Sequence, residues 1–337
     1  MTPIAPMEAL LAEELPHGAG WQYEPKWDGF RCIAVRSGGD VQLWSKSGKP
    51  LARYFPEVAA IVGRLKAREF ILDGELLIVS GGIVSFEALQ LRLHPAESRV
   101  RKLAAATPAM MMTFDVLALG KKSLASEPLS ERRAALAKML AAECEPDLQL
   151  SPATRDREDA LGWLERTGGA LDGVIAKRLD LPYRPGERAM VKVKQRRTAD
   201  CVVGGFRYAA RGQEVGSLLL GLYDEAGLLN HVGYTSSIAA RDRAAWTKEL
   251  EALVAPPGFT GSAPGGPSRW ATARSAEWQP LRPVIVVEVL YDQVTAGRFR
   301  HGTKLLRRRP DKNPRQCTMQ QLAPPLTPSQ LKQLMRP

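Results

Sequence analysis

The hydrophobic pattern changes period several times along the chain, and each change marks an element. Arg31–Val35 and Val41–Trp44 read as short paired strands around the turn Ser37-Gly38-Gly39-Asp40. Pro56–Lys66 places Val58, Ile61, Val62 and Leu65 at i, i+3, i+4 and i+7, the stripe of an amphipathic helix. Phe70–Val79 and Met110–Leu119 are apolar strand runs. Ser130–Ala142 is a helix with Leu136, Met139 and Leu140 as its stripe. A second helix near Asp159–Arg166 stops at Gly168-Gly169. Leu171–Arg178 is a strand entered through Asp172-Gly173, and Tyr183-Arg184-Pro185-Gly186 makes a turn. Met190–Lys194 alternates, so Lys192 and Lys194 share one face while Val191 and Val193 take the other.

The polar, basic stretch Gln195–Asp200 predicts a hinge, with one domain over residues 1–197 and another over 198–337. Beyond it come short strands at Cys201–Phe206, Ser217–Tyr223 and Leu228–Val232. A helix follows within Ile238–Val254, with Trp246, Leu250 and Leu253 on one side. Ala255–Ser268 is a Pro/Gly-rich loop, and Val284–Tyr291 is a strong strand. Several short strands with one helix suit a small Greek-key barrel of the OB-fold type. The whole chain is therefore expected to be α+β.

Composition adds a class of partner. The 337 residues carry 47 Lys+Arg against 36 Asp+Glu, a net charge of +11. That balance favours a polyanion, nucleic acid first and an anionic membrane surface second. Arg298, Arg300, Lys304, Arg307, Arg308, Arg309, Lys312 and Arg315 crowd one segment, with Asp311 opposed. The cysteines, at 32, 144, 201 and 317, form no C-x-x-C pair. Their spacing does not suit a structural zinc, and the sparse usage suits a reducing compartment. Met1-Thr-Pro-Ile-Ala-Pro lacks the basic and apolar regions of a signal peptide, and no apolar run approaches transmembrane length. A soluble cytoplasmic protein is expected.

The candidate chemistry begins at Glu24-Pro25-Lys26-Trp27-Asp28-Gly29-Phe30-Arg31. A lysine amine is mostly protonated at neutral pH and attacks poorly. Apolar neighbours and nearby cations free its lone pair. Trp27 and Phe30 could supply the first, Asp28 could orient the amine, and Arg31 could bind an anion such as phosphate. Taken alone, the same residues read equally as a surface lysine before an ordinary Asp-Gly turn. Ser45-Lys46-Ser47-Gly48-Lys49 reads as a solvated loop or as a phosphate contact. Asp73 and Glu75 interrupt an apolar strand two residues apart, so they face one side of it. Buried charges there are costly unless paired or bound to metal. Phe114, on local evidence, is a core aromatic.

In order, these blocks resemble the covalent nucleotidyltransferases, most closely the ATP-dependent DNA ligases of the small bacterial type. Lys26-Trp27-Asp28-Gly29-Phe30-Arg31 resembles the adenylated-lysine motif. Ser45-Lys46-Ser47-Gly48 resembles the next block, with Lys46 where the family usually has arginine. Asp73-Gly74-Glu75 resembles the acidic strand motif, and Phe114-Asp115 the block whose aromatic stacks on adenine. Asp172-Gly173-Val174-Ile175-Ala176-Lys177 resembles the fourth block, usually led by glutamate. Lys192-Val193-Lys194 resembles the fifth, with Met190 where an aromatic is common. Arg309-Pro310-Asp311-Lys312 resembles the terminal R-x-D-K block of the OB domain.

The resemblance implies a nucleotidyltransferase domain of ATP-grasp-like antiparallel sheets with helices, followed by an OB-fold β-barrel. It implies nick sealing in DNA repair through a covalent AMP on Lys26. ATP would be held by Glu24, Arg31, Lys46, Glu75, Phe114, Arg188, Lys192, Lys194, Arg309 and Lys312. Mg²⁺, with Mn²⁺ as substitute, would be held by Glu75 and Asp172. The implied partner of a monomer is nicked double-stranded DNA in the bacterial nucleoid, with a repair polymerase or end-binding proteins beside it. Rival readings are an RNA ligase, an mRNA capping guanylyltransferase, and a non-catalytic OB-type binder with a decayed ligase domain. NAD-dependent ligases fit less well, for want of a cysteine zinc module and a nicotinamide-binding domain.

Overall fold

The computed structural model describes residues 4–143, 145–165, 171–195, 197–265, 277–295, 297–322 and 327–335. The chain divides into two compact units, one of Met1–Gln195 with Pro325–Pro337, the other of Arg196–Pro324. In the first unit the elements run β1 (Ala9–Ala12), β2 (Trp21–Trp27), β3 (Phe30–Ser37), β4 (Asp40–Ser45), α1 (Pro56–Arg64), β5 (Glu69–Ser80), β6 (Ile83–Val84), α2 (Phe86–Arg92) and α3 (Glu97–Ala106). They continue with β7 (Ala109–Leu119), β8 (Lys122–Ser123), α4 (Leu129–Ala141), β9 (Leu148–Leu150), α5 (Arg157–Glu165), β10 (Leu171–Arg178) and β11 (Met190–Val193).

Two sheets carry this unit. One is four-stranded in the order β1-β11-β10-β2, antiparallel except where β1 runs parallel to β11. The other is seven-stranded along β4-β3-β5-β7-β8, with β6 on β5 and β9 parallel to β7. The expected hairpin forms with Ser37 opposite Asp40, and Gly38 takes a φ of 63° in the turn. Helix α1 buries Val58, Ile61 and Val62, three of the four predicted stripe residues, against Phe55, Phe70 and Leu72; it ends at Arg64, short of the expected Lys66, and Leu65, the fourth, is its buried C-cap. The predicted stop of α5 at Gly168-Gly169 lies outside the described residues.

The second unit contains β12 (Arg197–Tyr208), β13 (Val215–Tyr223), β14 (Leu229–Thr235), α6 (Arg243–Glu251), β15 (Gln279–Pro280), β16 (Val286–Tyr291), β17 (Val294–Thr295), β18 (Arg298–Phe299) and β19 (Lys304–Arg308). Its main sheet runs β14-β13-β12-β16-β19, with β15 on β12. The core is Val202, Phe206, Leu218, Leu220, Val232, Leu250 and Val287 with their neighbours. This is the OB-fold domain. No helix among the described residues is long and apolar enough to cross a membrane.

The structure differs from the expected 198–337 barrel at its end. Helix α7 (Pro328–Leu334) belongs to the first unit. Leu331 and Leu334 share a helix face and bury against Trp27, Leu77, Val84, Met110, Met112 and Leu171. That apolar pair, three residues apart, is the signal a sequence reading could have used.

Candidate active site

Strands β2 and β3 meet at Asp28-Gly29. A Cβ at Gly29 would stand 2.2 Å from the Leu76 carbonyl oxygen and 2.8 Å from Glu75 Cγ. Only glycine lets this turn lie against β5, which brings Lys26 beside Glu75. Strand β10 approaches from the other side. Its ladder to β2 shifts register between Leu171 and Val174. Gly173 sits in that shift with φ 137°, and a Cβ there would lie 2.1 Å from the Val193 carbonyl oxygen. Such a bulge re-aims the residue beside it. Asp172 accordingly points at Lys26: the ammonium Nζ donates to Asp172 Oδ2 at 2.5 Å, and Lys194 Nζ lies 3.0 Å from Asp172 Oδ1.

Glu24, Lys26, Arg31, Glu75, Phe114, Ile175, Lys177 and Met190 line one cavity between the two sheets. Its deepest element is a buried ion pair. Lys177 Nζ donates to Glu24 Oε2 at 2.7 Å, and Gln22 Nε2 donates to Glu24 Oε1 at 2.8 Å. Two cations stand at the Phe114 ring, Lys177 Nζ at 4.5 Å and the Arg31 guanidinium at 4.6 Å from its centroid. Arg31 is itself held by a bidentate bond to Asp73, with both distances 2.6 Å, and Tyr183 donates to the same carboxylate at 2.7 Å. Burial pulls the Arg31 pKa down, but Asp73 more than offsets it, so the net direction is upward.

Glu75 has the opposite fate. Burial pushes its carboxyl up to about 7; Arg31 and Lys26 pull it down, while Asp28 and Asp73 add to the rise. Asp115 is engaged elsewhere, in a buried bidentate pair with Arg132 at 2.8 and 2.9 Å. On the open side stand further cations. The Lys192 ammonium is held below its usual range by partial burial and by Lys26, Lys194 and Lys46. Lys46 lies 3.1 Å from Glu8, and that hydrogen bond, with Arg188 and Lys192 nearby, holds the Glu8 carboxyl below its usual range.

The first unit thus brings together Glu24, Lys26, Arg31, Glu75, Phe114, Asp172, Lys192 and Lys194, with Lys46 and Arg188 grouped at Glu8. Arg309 and Lys312 belong to the second unit. Sequence reasoning expected Phe30 beside the amine. Its ring instead packs edge-on against Phe55 at 6.2 Å and Phe86 at 5.4 Å. Trp27, the other expected apolar neighbour, does line the cavity with Lys26, and its Nε1 donates to Ser151 Oγ at 2.9 Å. The partners of Lys26 are charges: a carboxylate from β10 and a lysine from β11. Lys177 and Glu8 were missed as site residues. The β2–β10 register, with Ile175 opposite Glu24, shows why Lys177 reaches the cavity.

Comparison with known proteins decides the family. Residues 6–194 match the model of the ATP dependent DNA ligase domain, and residues 211–312 match that of the ATP dependent DNA ligase C terminal region. The chain belongs to the ATP-dependent DNA ligases. This ligase is 46% identical to DNA ligase C2 of Mycolicibacterium smegmatis, across 96% of both chains. It is 43% identical to DNA ligase C of Mycobacterium tuberculosis, across 98% of this chain and 96% of that one. The multifunctional non-homologous end joining DNA repair protein LigD of M. tuberculosis is 31% identical over 87% of the ligase, which spans 37% of LigD. Among solved structures, mycobacterial DNA ligase D complexed with ATP and MES superposes with a TM-score of 0.50 at 28% identity, covering 94% of the ligase and 98% of that chain.

Proposed function

We propose that this ligase seals nicks bearing a 5′-phosphate and a 3′-hydroxyl, through a covalent AMP on Lys26. The observation that carries the reading is the Lys26–Asp172 hydrogen bond at the mouth of the Glu24–Lys177–Phe114 cavity. Asp172 Oδ2 is placed to take the proton that the ammonium must shed before it attacks. Nitrogen then forms a bond to the α-phosphorus of ATP, and the bond to the pyrophosphate oxygen breaks. AMP passes to the 5′-phosphate of the nick, freeing the lysine. The 3′-hydroxyl attacks that phosphate and AMP leaves. Such chemistry rests on positioning and on charge stabilisation. Lys192 and Lys194 supply cations at the α-phosphate.

The cavity floor also offers groups that can read a base. Adenine presents an N6 donor beside an N1 acceptor; Glu24 can accept from the first and Lys177 donate to the second. The match to the ATP dependent DNA ligase models favours ATP over GTP, and disfavours a capping guanylyltransferase. Phe114 provides the stacking face.

Glu75 and Asp172 fit a divalent metal. Burial raises the Glu75 pKa, so a cation beside it would favour its charged form, and both side chains offer the hard oxygen ligands that Mg²⁺ or Mn²⁺ prefers. When bound, the ion would neutralise charge on the phosphoryl oxygens. The first unit is the adenylating one, and the basic OB domain grips nicked duplex DNA. Likeness to the LigD proteins supports a role in break repair beside end-binding proteins or a polymerase, inside the cell.

The test is incubation with α-labelled ATP or GTP and a divalent ion, followed by sealing of all-DNA and ribonucleotide-containing nicks. Labelling by ATP with sealing supports the reading. DNA binding without label from either nucleotide would leave only the non-catalytic binder.

A further inference from the structure

Within the second unit, the R-x-D-K block is organised by a residue that no motif contains. Asp200 lies in β12, with a side chain only 11% exposed. Its main chain is fixed at both polar groups. Gln321 Nε2 donates to the Asp200 carbonyl at 3.1 Å, and the Asp200 N–H donates to Gln321 Oε1 at 3.0 Å. Its carboxylate collects two cations from over a hundred residues away. Arg309 Nη1 donates to Oδ1 and Oδ2 at 3.0 and 3.1 Å, and Lys312 Nζ donates to Oδ2 at 2.6 Å. The rest of the Arg309 fork is held by Asp311, with Nη2 donating at 2.9 Å.

Left to themselves, two like charges on long side chains separate and sample many rotamers. Asp200 removes both tendencies, because it attracts each cation to one fixed point. We propose that Asp200 is a positioning residue for adenylation: it holds Arg309 and Lys312 convergent, so that together they meet the departing pyrophosphate. This rests on the reading of Lys26 as the AMP acceptor and of the R-x-D-K block as acting on the phosphates of ATP. Sealing of a nick that already carries 5′-AMP skips that step and does not call on the arrangement.

Asp200→Asn keeps the size and one acceptor but removes the charge that gathers the pair. The experiment uses the full chain. Single-turnover formation of lysyl-AMP at saturating ATP is expected to slow about tenfold or more, with the KM for ATP changed by less than about threefold. The reverse reaction, ATP synthesis from enzyme-AMP and pyrophosphate, should slow by the same factor. Sealing of a pre-adenylated nick should stay near wild type. Asp200→Glu, which restores the carboxylate one methylene further out, should recover part of the loss. In the Arg309→Ala/Lys312→Ala background, Asp200→Asn should add nothing, since residues acting as one unit are not additive. Equal loss of adenylation and pre-adenylated sealing would reduce Asp200 to a structural residue and overturn the proposal. So would full additivity with the double variant. A wild-type chain that takes no label from ATP would instead overturn the reading beneath it.

Discussion

The buried Glu24–Lys177 pair invites a decisive substitution. Glu24→Gln is nearly isosteric and removes one charge. It leaves Lys177, whose side chain is 4% exposed, without its carboxylate partner. Breaking a buried pair from one side costs about 3–5 kcal/mol, because the remaining charge is uncompensated. The amide oxygen can still accept from Lys177, which offsets about 1 kcal/mol. The Phe114 face at 4.5 Å remains in either case. A net loss of about 3 kcal/mol follows, a fall in Tm of roughly 6–12 °C for a domain of this size. Adding Lys177→Met removes the orphaned charge and keeps the volume, so most of that stability should return. Nucleotide binding should not return, because the Lys177 donor is gone and the Glu24 carboxylate proposed to face the base is now a neutral amide. Thermal unfolding and ATP labelling of the two single variants and the double variant complete the cycle. A double variant no more stable than Glu24→Gln would refute the pairing argument. A double variant that labels as wild type would refute the base-reading argument.

Four further outcomes are expected. Lys26→Ala should take no label from α-labelled ATP, while the wild-type label survives alkali and is lost in acid, as a phosphoramidate requires; labelling of the variant would place the AMP elsewhere. Gly173→Ala should lose adenylation and at least about 2 kcal/mol of stability, since φ 137° is strained for alanine and its Cβ meets the Val193 carbonyl oxygen; unchanged activity would dismiss the bulge as the aiming device. DNA affinity should fall steeply with salt, with a log–log slope more negative than roughly −3, and a flat response would remove the OB domain's cations from the interface. His231 is lowered from 6.5 to about 3, by burial first and then by Arg298 and Arg207, so folding wants it neutral. Its contribution is complete above pH 6.5 and drains as pH falls toward 3, with about 2 kcal/mol lost by pH 5. His231→Gln should lose less than wild type between pH 7 and pH 5, and equal losses would assign the effect to other groups.

Much of the first unit was legible because its elements keep strict periods. Helix α1 and strands β3, β4, β5, β7 and β10 fall where the apolar pattern puts them. Lys192 and Lys194 do share a face, toward Lys26 and Asp172. Less visible were elements whose partners lie far off in sequence. Strand β1 is four residues long with Leu10 and Leu11 exposed, and it pairs with β11 some 180 residues later. The basic run near Arg307 was read as charge, yet it contains β19, which pairs with β16. Several of its cations are already matched, Arg307 by Glu288 and Arg308 by Glu249. Counting charges along the sequence therefore overstates what remains for DNA. The identity of each lysine's partner was hidden too, because β-bulges decide which way Asp172 points and no period records a bulge.

The ion pairs of the first unit sort by exposure, and the sorting separates scaffold from working parts. Arg31–Asp73, Lys177–Glu24 and Arg132–Asp115 each have at least one side chain with no more than 3% exposure. Removing either partner there leaves a buried charge, so a phosphate cannot take the carboxylate's place cheaply. These pairs fix Phe114 and the groups proposed to face the base before nucleotide arrives. Lys46–Glu8 is different: the lysine side chain is 60% exposed and the glutamate 31%. Lys26 and Lys194 are partly open to solvent, at 25% and 22%, but the Asp172 carboxylate they share is only 8% exposed, so they stand between the two classes. A surface pair such as Lys46–Glu8 holds by about 1 kcal/mol or less, so a polyanionic triphosphate can displace Glu8 with little penalty. Such pairs keep like-charged lysines from repelling one another out of place while the site holds no phosphate. The expected signature is that Glu8→Gln leaves stability unchanged, whereas Asp73→Asn does not.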